Sequence, residues 1–141
     1  MRARHHRTSR GSALAEFALV LPPLLMLLLG IVQLGRAVYA YHFVAVAARK
    51  ATRYAIVRGA SCSSFSSACP ATAADIESFV RNLNPPAMTP ADLSVTTVWN
   101  PSNAPGSTVT ITVQYPFSLD IPFVPSATLP LQSTSQMVIA P

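Results

Sequence analysis

The sequence predicts an α+β protein. A long N-terminal transmembrane helix, extended beyond the membrane, should be followed by a small domain with a short helix and an antiparallel sheet of about three strands. Two observations predict this class. An uncharged apolar run occupies residues 17–35, and the helical spacing of apolar residues continues beyond it. After residue 92 apolar and polar residues alternate, which is typical of half-buried strands.

The apolar run has the length of a membrane span. Between Glu16 and Arg36 lie 19 residues without a charge, and Gln33 is the polar side chain that interrupts them. A helix needs about 20 such residues to cross roughly 30 Å of hydrocarbon. The basic residues that precede the run are Arg2, Arg4, Arg7 and Arg10. The positive-inside rule therefore places the N-terminus in the cytoplasm and the C-terminal domain outside.

The net charge of +5 belongs to the membrane end of the chain. A second basic cluster lies between Arg49 and Arg58, and beyond Gly59 a single base, Arg81, stands against four acidic residues. The distribution favours bases that flank a membrane over a nucleic-acid interface, because the C-terminal part carries no basic face interleaved with aromatic residues. We expect a membrane protein without a nucleic-acid partner.

Composition divides the chain into three parts. Residues 1–11 are basic and polar and are interpreted as a leader, residues 12–59 as the helix, and residues 60–141 as an extracytoplasmic α+β domain. Pro22 and Pro23 interrupt the helical run and predict a kink, because each removes a backbone donor. Gly59 supplies a C-terminal stop.

A face of mostly small residues extends along the second half of the helix. Its members recur at spacings of three and four: Ala37, Tyr41, Val44, Ala48, Ala51 and Ala55. Arg49, Lys50 and Arg53 fall mostly on the other side. Small residues let another element approach closely, so the face is suited to a neighbouring helix or to the protein's own C-terminal domain. The sequence leaves both open.

The C-terminal part predicts one helix and three strands. Residues 72–83 form a short helix with Thr72 as N-cap and Asp75 three residues on. Residues 93–99 and 107–115 alternate and are joined by turn formers, which predicts a hairpin. Residues 131–139 form a last strand, and residues 116–130 are interpreted as a connection broken by prolines.

The two cysteines, Cys62 and Cys69, enclose a serine-rich segment. Zinc would need further ligands, which this region does not offer. An even pair in an exported domain favours a disulfide over free thiols, and no metal site is predicted.

No catalytic arrangement is present in the sequence. His5 and His6 lie in the leader and His42 lies just past the apolar run, and none can be paired by sequence with a nucleophile. There is no glycine-rich phosphate loop and no metal-ligand spacing. The sequence predicts neither an enzyme nor a cofactor.

Gly11 ends the basic leader, and Glu16-Phe17 follows after four residues. This arrangement resembles the processing site of Flp-type (type IVb) pilins and pseudopilins. The longer string from Glu16 to Arg36 is similar to the N-terminal signature of TadE-like and TadG-like pilus-assembly proteins. That signature reads Glu-Phe-Ala, then a proline in mid-membrane, then Gly and Gly-Arg near the exit. The corresponding residues here are Glu16, Phe17, Ala18, Pro22, Gly30, Gly35 and Arg36.

The resemblance implies a minor pilin or pseudopilin of a Tad (Flp) pilus system in the bacterial inner membrane. It would act in pilus assembly, adhesion or biofilm formation. A prepilin peptidase would cut between Gly11 and Ser12, and the new amino group of Ser12 would meet the carboxylate of Glu16 in the same or a neighbouring subunit. The implied partners are this peptidase, other pilin and pseudopilin subunits, and the inner-membrane assembly platform.

Two other interpretations stay open. The first is a Sec signal peptide that is cut after Val38-Tyr39-Ala40 and releases a secreted binding module. Glu16 and the two prolines fit poorly with an ordinary signal peptide. The second is an uncut N-terminal anchor that carries a binding domain for an envelope complex without a pilus role.

Overall fold

The computed structural model of the protein describes residues 9–62, 69–122 and 125–139. The predicted α+β class is confirmed: a long apolar helix is followed by a short helix and a three-stranded antiparallel sheet. The elements are α1 (Ser9–Val57), α2 (Ala73–Arg81), a 3-10 turn (Pro90–Asp92), β1 (Ser94–Asn100), β2 (Thr108–Leu119) and β3 (Ala127–Val138). Most of the predicted leader, residues 1–8, lies outside the described residues.

Helix α1 has 49 residues and passes through Pro22 and Pro23 without ending. It begins three residues before the predicted start at Ser12 and ends at Val57, close to the predicted stop. Since an α-helix rises 1.5 Å per residue, α1 is roughly 70 Å long, more than twice the thickness of a hydrocarbon core. Its C-terminal half therefore stands outside any bilayer that its N-terminal half crosses.

The small-residue face of α1 packs against the protein's own sheet. Whereas Tyr41 of this face is 57% exposed, four other members are fully buried together with the neighbouring Ala47: Val44, Ala48, Ala51 and Ala55. They share one core with Val109, Ile111 and Val113 of β2, while Arg49, Lys50 and Arg53 remain exposed on the other side. The sequence left open whether this face contacts a neighbouring helix or the protein's own domain. For residues 44–55 it contacts the protein's own domain, so the domain core includes one face of the helix.

The sheet has the order β1-β2-β3, with antiparallel pairing throughout. The predicted connection through residues 116–130 is wrong, because β2 continues to Leu119 and β3 already begins at Ala127. Pro116 and Pro130 stand opposite each other in this extension. A proline is tolerated at a sheet edge, where its missing N–H need not face a partner, and here both strands are edges because β1 has already ended.

Helix α2 is fixed at its start by the predicted cap. The Asp75 N–H donates to Thr72 Oγ1 (3.2 Å), and the Thr72 N–H donates back to Asp75 Oδ2 (2.9 Å), which completes a capping box. The Thr72 hydroxyl and then its N–H hold the pKa of Asp75 below its ordinary value. The ionised Asp75 in the capping box therefore stabilises the fold at pH values above the pKa that Asp75 has in the unfolded chain. This stabilisation is lost as the pH falls through the lower pKa of Asp75 in the folded state.

Helix α2 joins the core through its apolar face. Ile76 and Val80 are buried. The ring of Phe79 stacks on Tyr54 of α1 with centroids 4.4 Å apart, and the guanidinium of Arg58 covers the same tyrosine at 3.9 Å. This stack ties the end of α1 to α2 and fixes where the polypeptide leaves the long helix.

Gly59 marks the closest approach of the helix end to the sheet. A Cβ atom at this position would lie 2.5 Å from Cγ2 of the buried Ile139, and the neighbouring Ala60 N–H donates to the Asn103 carbonyl (2.7 Å). A side chain would therefore force apart the end of α1, the β1–β2 turn and the end of β3. The predicted stop signal is also a packing requirement.

Candidate functional site on the N-terminal helix

The first half of α1 is apolar and lies outside the domain core. Within the described residues, one helix is long and apolar enough to cross a membrane, and that helix is α1. Large apolar side chains between Leu14 and Leu34 are mostly half exposed or more, for example Leu19 at 78% and Phe17 at 63%. Such a surface requires lipid or other apolar helices around it, so the helix fits a membrane anchor.

The structure brings four of the predicted site residues together on the first turns of this helix. Gly11, Ser12, Glu16 and Phe17 all lie in α1 and are exposed. Residues four apart share one helix face, so position 12 and the carboxylate of Glu16 lie on adjacent turns with a rise of about 6 Å between them. A positive group at position 12 would therefore be within reach of Glu16, on the same helix or on a neighbouring helix.

Pro22 and Pro23 lie less than two turns beyond Glu16. Because proline has no N–H, the carbonyls of Ala18 and Leu19 receive no helical hydrogen bond from four residues ahead. In hydrocarbon a polar backbone group without a partner costs several kcal/mol, and neighbouring helices can supply the missing donors. The two prolines thus create acceptors in the same segment that exposes Glu16.

Gln33 is a site residue that the sequence does not identify as such. Its Nε2 donates to the backbone carbonyl of Asp120, at the end of the β2–β3 hairpin, at 2.6 Å, and its side chain is 9% exposed. Arg36 Nη1 donates to Gln33 Oε1 at 3.2 Å. The signal in the sequence is an isolated amide in an apolar run, but nothing local indicates a partner 87 residues away.

Comparison with known proteins finds a similarity in α1. Residues 11–53 match the family model described as TadE-like protein. This segment is similar to the TadE-like family. The match confirms the suspected resemblance to the TadE-like family over this segment. It begins at Gly11, covers less than half of the chain and ends before α2 and the sheet. Neither the curated proteins nor the solved structures contain a match to this chain.

The cysteines lie at the opposite end of α1 from Glu16. Cys62 and Cys69 are bridged in the structure, with their Cα atoms 5.9 Å apart. The Cys62 N–H donates to the Gly59 carbonyl (3.0 Å), and the Ala71 N–H donates to the Arg58 carbonyl (3.0 Å). Both cysteines are therefore held beside the helix end, where a bridge would close the loop that leads into α2. The residues between them, 63–68, lie outside the described residues.

We predict that Cys62 and Cys69 are oxidised in the exported protein. Alkylation of the natively exported chain should modify neither cysteine before reduction and both after it, as read by intact mass. Removing the bridge as Cys62→Ser should lower the free energy of unfolding by about 2–3 kcal/mol, because the unfolded chain loses a constraint. The double variant Cys62→Ser/Cys69→Ser is the control and should lose the same amount. Two alkylated cysteines in non-reduced protein would contradict the prediction.

Proposed function

We propose that this protein is a minor pilin or pseudopilin of a Tad pilus system. A prepilin peptidase cuts it between Gly11 and Ser12 on the cytoplasmic side of the inner membrane. The mature chain then joins other pilin or pseudopilin subunits and the assembly platform through the exposed half of α1, and it acts in pilus assembly, adhesion or biofilm formation. The observation that carries the proposal is the TadE-like match over residues 11–53.

The geometry of α1 supports this proposal. Glu16 is exposed one turn from the new N-terminus, and the carbonyls freed by the prolines follow within two turns. A carboxylate inside the apolar phase is costly alone and tolerable when a cation meets it. In the proposal, residues 1–11 are the leader, residues 12–59 the helix and residues 60–141 the exported domain, whose core includes one face of α1. A bridge between Cys62 and Cys69 would keep the helix end joined to that domain.

The Sec interpretation has less support. A cut after Ala40 would separate the domain from Gln33, whose side chain bonds the Asp120 carbonyl. Ala40 itself is 1% exposed and lies in the middle of a continuous helix rather than in an extended segment that a peptidase can bind. The uncut anchor would keep residues 1–11 and would have no pilus role, so the mature N-terminus distinguishes the three interpretations.

The proposal predicts a mature chain that starts at Ser12. The full-length protein is expressed with and without a Tad prepilin peptidase, and its N-terminal peptide and intact mass are measured. Gly11→Val should leave the chain uncut, because a branched side chain cannot occupy a site built for glycine, whereas Gly11→Ala should retain some cleavage. Gly30→Val, which adds the same side chain elsewhere in α1, is the control and should be cut normally. A chain that begins at Tyr41 would establish the Sec interpretation, and one that keeps residues 1–11 beside an active peptidase would establish the uncut anchor.

A further inference from the structure

The β2–β3 hairpin extends beyond the rest of the sheet and lies along α1. Strand β1 pairs with β2 only as far as Gln114, so residues 115–119 of β2 and 127–131 of β3 form a two-stranded ribbon. Phe117 in this ribbon is 5% exposed, and it lines a narrow cleft together with Tyr39 and Ala40 of α1. The ribbon is therefore packed on the helix rather than free in solvent.

The end of the ribbon reaches a level of α1 that belongs to the apolar run. The Gln33 side chain bonds the Asp120 carbonyl at 2.6 Å. Gln33 lies three residues before Arg36, the first charge after the run, which places it about 4.5 Å deeper along the helix axis. The chain beyond β2 thus stands beside the helix at or below the level where the run ends.

The surface of this end is mixed: apolar side chains lie among the exposed polar residues Ser118, Asp120, Ser126 and Thr128. We call Leu119, Ile121, Pro122 and Leu129 the hairpin tip. Leu129 is 47% exposed, Pro122 is exposed, and Leu119 and Ile121 are half-buried. Asp120 is the charged residue among them; it is exposed, while its carbonyl is bonded to Gln33. An exposed apolar group beside a membrane-spanning helix is suited to the boundary between headgroups and acyl chains.

The length of α1 limits where Glu16 and the hairpin tip can lie relative to the hydrocarbon core. From Glu16 to Gln33 the helix rises about 26 Å, which is less than the roughly 30 Å of a hydrocarbon core. A tilt or a kink at Pro22 would shorten that distance further. If α1 spans a bilayer of ordinary thickness, Glu16 and the hairpin tip cannot both lie outside the hydrocarbon. Either Glu16 or the tip reaches the edge of the hydrocarbon, and the tip offers apolar side chains there, with the Asp120 carboxylate exposed beside them.

We propose that the hairpin tip is a second membrane contact of this protein, seated beside α1 at the boundary between the lipid headgroups and the acyl chains. The bond between Gln33 and Asp120 then has a defined purpose, because it pairs an amide and a strand-end carbonyl in a layer that has little water. Arg36 lies at headgroup level, and the exposed rings of Tyr39 and Tyr41 follow it as interfacial aromatics do. Two attachment points would fix the orientation of the domain on the membrane. This inference rests on α1 crossing the bilayer and is independent of cleavage or a pilus role.

Tryptophan fluorescence of the full chain in phospholipid vesicles tests the proposal. Trp99→Phe removes the native tryptophan, whose Nε1 has no hydrogen-bond partner among the described residues, so the background should fold. Leu129→Trp then reports on the tip. Val138→Trp is the matched control, since it lies on the same strand, is also exposed at 61%, and is about 30 Å away at 3.4 Å per residue. Ile31→Trp, within the apolar run, confirms that the helix has inserted.

The vesicles contain phospholipid brominated on its acyl chains, which quenches tryptophan on contact. We expect a blue-shifted emission for Leu129→Trp and quenching several-fold greater than for Val138→Trp, strongest when the bromines lie near the headgroup. Ile121→Trp should behave in the same way and keeps the test valid if the variant at position 129 misfolds. The proposal is overturned if both tip variants resemble Val138→Trp while Ile31→Trp is quenched. It is also overturned if they are blue-shifted but unquenched, because a second copy of the protein would then cover the tip.

Discussion

Replacing Glu16 with alanine or glutamine is expected to leave the protein inserted and cut after Gly11 but to abolish its incorporation into the pilus. A charged side chain at the centre of a bilayer costs roughly 2.5–3.5 kcal/mol on insertion scales, so removing it does not impair insertion. In the proposed function, cleavage precedes the pairing of Glu16 with a new N-terminus, so it should persist. Assembly should fail because, in the proposed function, the amino group of Ser12 loses the carboxylate with which it pairs.

Three readouts on the same cells check this prediction. Membrane-resident protein, the fraction with Ser12 at the N-terminus, and recovery of other pilin subunits with this chain are measured for each variant. Glu16→Asp keeps the charge and should retain more assembly than Glu16→Gln, which keeps the shape. Asp92→Asn, in the exposed 3-10 turn, is the matched control, because it removes one acidic charge far from α1's first turns. Normal pilus output and normal partner recovery with Glu16→Ala would show that the carboxylate has no role in assembly.

The depth of the hairpin tip in the membrane determines the depth of Glu16 before assembly. If the tip occupies the acyl boundary at one end of α1, the 26 Å between Glu16 and Gln33 places Glu16 near the opposite surface of a ~30 Å core, where water still reaches it. The cost of the charge is then small until neighbouring helices surround it. A Glu16 carboxylate at this depth would not impede insertion and would be available for pairing in the proposed assembly.

The parts of the fold that depend on local chemistry could be predicted from the sequence. Thr72 and Asp75 define the start of α2 because a cap requires an oxygen acceptor at one position and a carboxylate three residues on. The alternation in β1 and the first half of β2 shows which face is buried. The TadE-like match likewise covers one continuous segment, residues 11–53, which includes Glu16 and Phe17.

The parts that depend on distant contacts could not be predicted. Prolines 116 and 130 argue against strand when each is considered alone, and they are tolerated because they face each other where β1 has ended. The role of Gln33 depends on Asp120, and the two meet only because the hairpin is longer than the sheet. The sequence showed that the small-residue face of α1 needs a closely packed partner, but no local pattern states that the partner is this protein's own sheet.

Ala51→Leu is expected to unfold the domain more readily, because α1 is part of its core. Ala51 is 0% exposed and lies in one cluster with Ile111 and Val113, so a larger side chain must push the helix away from the sheet. Overpacking of this kind costs about 1–3 kcal/mol. In a domain of this size each kcal/mol lowers Tm by roughly 4–8 °C.

The measurement is thermal unfolding of the full chain in detergent, followed by the fluorescence of Trp99, which packs against the core. Lys50→Leu introduces the same side chain one residue earlier, on the exposed face of the same helix. That control should stay within about 0.5 kcal/mol of the parent. Equal Tm values for Ala51→Leu and the parent would mean that the sheet does not need close contact with α1. The long helix would then be a tether for an independent domain, whereas a large difference between the two leucine variants would show that it is a structural element of that domain.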